Sequence, residues 1–123
     1  MCLDIVGSRV RYKIAKEDFV VYKILNKSNV SPYQGFRYVP NTEYSVNKLR
    51  AQRATWIVSG FDDWEINEGL HAYVTYEAAL NMKDEDEKIV LFTVPKGTTY
   101  VIGQFNEMVA QKMVTGSLKG IKR

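Results

Sequence analysis

Gly69 to Pro95 reads GLHAYVTYEAALNMKDEDEKIVLFTVP. Leu70, Ala72 and Val74 alternate with His71, Tyr73 and Thr75. A strand sends successive side chains to opposite faces, so this segment predicts a half-buried strand with one apolar and one polar-aromatic face. Thr75 then stands where its hydroxyl can cap a short helix over Tyr76 to Met82, with Ala78, Ala79 and Leu80 as its apolar side. Lys83 to Lys88 follows, with four adjacent carboxylates that repel one another and favour an exposed turn. Ile89 to Val94 is apolar on both faces and rich in Val, Phe and Thr, the pattern of a strand covered on both sides. Pro95 and Gly97 end it.

Upstream, Val20 to Leu25 is the clearest further strand, with Lys23 between Val21 and Leu25 on one face. A lysine there either snorkels to an edge or points into a cleft. Tyr33 to Val46 is dense in aromatics, and Arg37 lies between Phe36 and Tyr38. Rings interleaved with a cation can stack a nucleobase, and tyrosines on a small sheet also simply pack. Pro40-Asn41 supplies a turn, Asn47 to Arg53 is helix-compatible, and Ala54 to Ser59, with Trp56 and Val58 on one face, reads as a strand. Downstream, Thr98 to Ile102 is a strand. Asn106 to Val114 fits a helix aligning Phe105, Met108, Val109 and Met113, or a strand placing Met108, Ala110 and Val114 together. The fold class expected is α+β: a twisted, mainly antiparallel sheet of about five to seven strands with one or two short helices.

A chain of 123 residues is one domain by length. Residues 1–18 form a basic arm with Arg9, Arg11, Lys13 and Lys16, in which Val10, Tyr12 and Ile14 allow a short edge strand. Residues 117–123 form a basic tail, expected to fray. Residues 1–53 carry ten Lys/Arg against four Asp/Glu, and residues 54–123 carry seven against ten, so the formal charge divides as +6 and −3. Such asymmetry either averages over one surface or steers a charged partner. The single cysteine forms no internal disulfide, and no apolar run approaches the ~18 residues of a membrane span. Both suit a cytoplasmic protein.

The catalytic inventory is poor. One histidine and one cysteine give no nucleophile motif and fall short of a zinc site, so no metal is expected. The Asp84 to Glu87 cluster lacks the ligand spacing and glycine of a calcium loop. His71 and Tyr73, two apart on a strand, are the best placed pair to grip a sugar, base or phosphate.

Two resemblances add to this reading. MCLDIVG, AKEDFVVYKIL, SPYQGFRY and EGLHAY resemble short uncharacterised proteins of tailed phages and prophages, which implies an accessory protein acting on a host or viral component. Residues 69–116 resemble the core of ADP-ribosyltransferase-like folds through GLHAYVT, YEAAL, IVLFTVPKG and QFNEMVAQKM. That likeness implies NAD as cofactor, Tyr73 near the nicotinamide and Glu107 as the catalytic carboxylate. The family's first strand normally offers Arg or His to the dinucleotide; this chain has Tyr22 and Lys23, and the Ser-Thr-Ser of one branch is absent.

The leading expectation is a small non-catalytic accessory protein without a cofactor. It would act in the host-cell cytoplasm if the chain is phage-encoded, and would bind a nucleotide-like ligand or inhibit a host protein, such as one of host defence, through Tyr22, Lys23, Arg37, Tyr38, His71 and Tyr73. The alternatives are an NAD-using enzyme relying on Glu107 and, third, a nucleic-acid binder working through the basic half.

Overall fold

The structure is a computed structural model that describes residues 3–6, 11–31, 35–47, 49–53 and 63–121. Its strands are β1 (Leu3–Val6), β2 (Lys13–Ile14), β3 (Phe19–Asn26), β4 (Glu43–Ser45), β5 (Arg50–Arg53) and β6 (Asp63–Glu68), followed by β7 (Leu70–Tyr73), β8 (Glu87–Val94), β9 (Thr99–Ile102), β10 (Glu107–Ala110) and β11 (Lys112–Thr115). Among the described residues, one helix, α1 (Tyr76–Met82), stands between β7 and β8, and a single 3-10 turn covers Gln104–Asn106. An eight-stranded sheet has the order β2-β9-β10-β7-β3-β8-β11-β4, and a three-stranded sheet the order β1-β6-β5. Every pairing is antiparallel. The expected antiparallel α+β class is therefore found, with more strands than the five to seven expected.

The extra strands come from segments whose local pattern was ambiguous. Arg50–Arg53 is a strand, not a helix, because it pairs with β6 from Arg50↔Glu68 to Arg53↔Trp64. Helix nucleation is costly for a segment as short as Asn47 to Arg53, and the β6 ladder satisfies the backbone of its last four residues instead. Residues 107–115 are two strands separated by Gln111, whose insertion shifts the alternation by one. Met108, Ala110 and Met113 consequently share one core, and Val114 turns away from them. The expected strand at Ala54 to Ser59, with Trp56 and Val58, lies outside the described residues, as do Arg9, Val10 and Tyr33.

Alternation along β3 and β8 builds both layers. Val21, Leu25, Val90, Phe92 and Val94 join Leu70, Ala72, Met108 and Met113 on one face. Ile24, Tyr73 and Ile89 pack beneath Ala79 of α1 on the other. Thr75 caps α1 as expected, its Oγ1 accepting from the Ala78 N–H at 3.2 Å. The apolar side of the helix is narrower than its sequence suggests: Ala79 is buried and Leu80 is exposed. β7 is buried at all four positions, so the half-buried strand expected there is covered on both sides. The reason is its central place, between β10 and β3.

The C-terminal tail docks along β8. Ile121 N–H donates to the Ile89 carbonyl at 2.9 Å, Lys88 Nζ donates to the Leu118 carbonyl at 2.9 Å, and Leu118 is buried. β11 pairs β8 only at Val114↔Thr93 and Thr115↔Phe92, so the tail finds the start of β8 unpaired by β11 and occupies it. Fraying is thus corrected for residues 118–121.

Thr115 ties the edge strand to this core. Its Oγ1 donates to the Val39 carbonyl at 2.7 Å and accepts from Thr42 N–H at 2.8 Å, and the residue is buried. Thr115→Val keeps the shape but removes both bonds, so we expect a loss of about 2 kcal/mol in urea unfolding. A loss below about 0.5 kcal/mol would mean water replaces the hydroxyl there.

Candidate functional site

The six ligand-binding candidates divide across the sheet. Tyr22 stands directly opposite Tyr73, and Tyr73 opposite Glu107, so these three side chains form a row across β3, β7 and β10 on the α1 face. His71 follows on the same face. Tyr76 of α1 meets Tyr22 edge-on, with ring centroids 5.9 Å apart. His71 and Tyr73 are buried, and Tyr73 packs with Ala79 of α1, so neither is an open grip for a ligand.

Lys23 and Tyr38 lie on the opposite face. Lys23 is only 4 % exposed and neither snorkels nor opens into a cleft. Its place follows from the register. β3 and β7 pair only at Tyr22↔Tyr73, and beyond that point Lys23 Nζ donates to the His71 carbonyl. The ammonium also lies 5.2 Å from the centre of the Tyr38 ring, a cation–π contact. Burial pushes the Lys23 pKa down to about 7. Tyr38 is raised to about 12, first by burial and then by Tyr44.

The aromatics of residues 36–44 pack against one another. Tyr38 meets Tyr44 at 4.9 Å, Phe36 at 5.0 Å and Phe92 at 5.1 Å between centroids, all edge-to-face. Arg37 is exposed on the loop, its backbone bridged to Val30. The expected pairing of Arg37 with Tyr38 around one ligand is therefore not formed: the ring points into the core and the cation is in solvent.

An open cleft of about 720 Å³ lies instead where β2 hands the chain to β3. This falls in the ~300–1,000 Å³ range of small-molecule sites. Phe19 and Tyr100 meet edge-to-face at 5.1 Å on one side of it. Register places Lys13 directly opposite Tyr100, and Lys16 lies on the following turn. The turn is pinned. Ala15 N–H donates to Thr98 O at 2.9 Å, Gly97 N–H donates to Ala15 O at 2.8 Å, and Asp18 Oδ1 accepts from Lys96 N–H at 2.7 Å. Ala15 is buried, so the walls are anchored to the β8–β9 turn. Asp18 and Glu17 also line the cleft, and Asp18 is engaged by the backbone. Lys13, Lys16, Glu17 and Asp18 are all exposed.

No family model, curated protein or solved structure gave a significant match to the chain. Among the described residues, no group of three His, Cys, Asp or Glu is placed to hold a metal ion, and no helix is long and apolar enough to cross a membrane.

Sequence reasoning missed Phe19, Tyr100, Lys13 and Lys16 as a set. Two lysines were visible as a basic arm. Nothing local joins them to Tyr100, because the β2–β9 pairing that brings them together spans most of the chain.

Proposed function

We propose that the protein is a small non-catalytic binding protein of the cytoplasm that captures a nucleotide-like anion in the cleft between β2, β3 and β9. The observation that supports this reading is the Phe19–Tyr100 pair with Lys13 beside it and Lys16 on the pinned turn. Tyr100 is partly buried and lines the cleft beside Phe19, and stacking of a base on an aromatic ring is worth roughly 1–3 kcal/mol per base. Lysine holds phosphate as a point charge, without the bidentate geometry of arginine. The resemblance to short phage accessory proteins fits capture better than turnover.

Calorimetric titration with ADP, ATP and NAD tests the proposal. Tyr100→Ala and Lys13→Glu are each expected to weaken binding about tenfold, the equivalent of about 1.4 kcal/mol. Arg37→Ala should leave it unchanged. Binding that survives both cleft variants, or that needs Arg37, contradicts the assignment.

A second reading is an ADP-ribosyltransferase-like enzyme, favoured by the row Glu107, Tyr73 and Tyr22 on adjacent strands. It requires nicotinamide to be released in the NAD titration and release to stop in Glu107→Gln. Intact NAD after incubation with candidate protein targets removes it.

A further inference from the structure

Phe105 is 80 % exposed, the most exposed of the large apolar residues described. Its backbone is left-handed, at φ 56° and ψ 31°, and the next residue, Asn106, is also left-handed, at φ 59°. Asparagine tolerates this region; a bulky aromatic residue rarely adopts it. The neighbouring chain holds the pair in place. Gly103 N–H donates to Glu107 O at 2.9 Å, and Val74 N–H donates to Asn106 O at 2.8 Å. The ring is thus held outward by a backbone that costs free energy to form, a combination that concentrates at functional sites.

Beside Phe105, Ala78 and Met82 of α1, one helical turn apart, line a cleft of about 320 Å³. Met82 is itself half exposed. Glu77 lines the cleft, α1 has no basic residue in its last turn, and exposed Asp84, Glu85 and Asp86 follow the helix. Lys83 is the one cation among residues 76–87, and its Nζ donates to the Asp84 carbonyl at 3.0 Å.

We propose that Phe105, Ala78 and Met82 form a docking surface for a partner protein segment that presents an apolar side chain flanked by lysine or arginine. Phe105 is the anchor, Met82 adapts to the bound side chain, and Glu77 with the acidic turn selects for positive charge. The surface lies beyond the end of β9, whereas the ligand cleft lies at its start, and the two share no lining residue.

Fluorescence anisotropy with a labelled octapeptide of alternating lysine and leucine, and with its glutamate–leucine counterpart, tests the proposal. The basic peptide is expected to bind in the micromolar range and the acidic one not to bind. Phe105→Ala should weaken binding at least tenfold, and Glu77→Lys about fivefold. Phe105→Gly should lose binding while raising the melting temperature, because glycine adopts the left-handed backbone readily. Equal binding by Phe105→Ala, or by the acidic peptide, overturns the proposal. So does a dimer in sedimentation that dissociates in Phe105→Ala, since the occupant would then be a second copy of the chain.

Discussion

Replacing Lys23 with methionine is expected to stabilise the protein by about 3 kcal/mol at pH 6 and to change it little near pH 10. Lys23 has an ordinary pKa of 10.5 when unfolded and about 7 when folded. Between those values the unfolded chain binds more protons than the folded one, so stability rises with pH across that window. Below pH 7 both states carry the charge, and the folded state bears the full cost of burying it. A shift of this size corresponds to roughly 5 kcal/mol. The Lys23→Met chain loses the bond to the His71 carbonyl, which takes back about 1–2 kcal/mol, and gains apolar contact with Tyr38.

Tyr38 works in the opposite direction at higher pH. Its pKa is raised from 10.0 to about 12, so its contribution is present below pH 10 and is lost as pH climbs through 12. Wild-type stability therefore rises from pH 7 and turns over near pH 10, whereas Lys23→Met lacks the rise. Urea unfolding at pH 6, 8, 9.5 and 11 measures both. Parallel pH profiles for the two proteins would show that Lys23 remains charged or unburied in the folded state.

Gly69→Ala is expected to destabilise by about 3–5 kcal/mol or to prevent folding. Gly69 is the single residue between β6 of the small sheet and β7 of the large one. It is buried at φ 152°, and an added Cβ would come within 2.3 Å of Val109 Cγ2 and 2.8 Å of Leu49 Cδ2. A glycine at such a corner lets the backbone bend and approach closely. Val109→Ala alone should cost about 1–3 kcal/mol by leaving a void. The double variant should then be less damaged than the sum of the two, because Val109→Ala removes the closest contact. Simple additivity would place the added methyl away from Val109.

Much of the large sheet was legible because its central strands have strong local patterns. β3, β7, α1 and β8 follow from alternation, the Thr75 cap and the breaks at Pro95 and Gly97. What the pattern could not supply was strand order. Tyr22, Tyr73 and Glu107 form a row only because β3, β7 and β10 are neighbours. Lys23 was placed on the correct strand, yet its burial depends on the ladder ending at Tyr22↔Tyr73, which no local spacing encodes. Arg37 and Tyr38 looked like one aromatic-basic unit in sequence, and adjacent residues of an extended chain face opposite ways. The cleft residues joined through β2 pairing with β9, a non-local event with only two residues on the β2 side.

Amide chemical-shift mapping with ADP shows where the nucleotide binds. The largest shifts are expected at residues 13–19 and at Tyr100, fading along β9, with Arg37 and the α1 face undisturbed. Shifts centred on Tyr22, Tyr73 and Glu107, or none at millimolar ADP, would contradict nucleotide capture in the cleft.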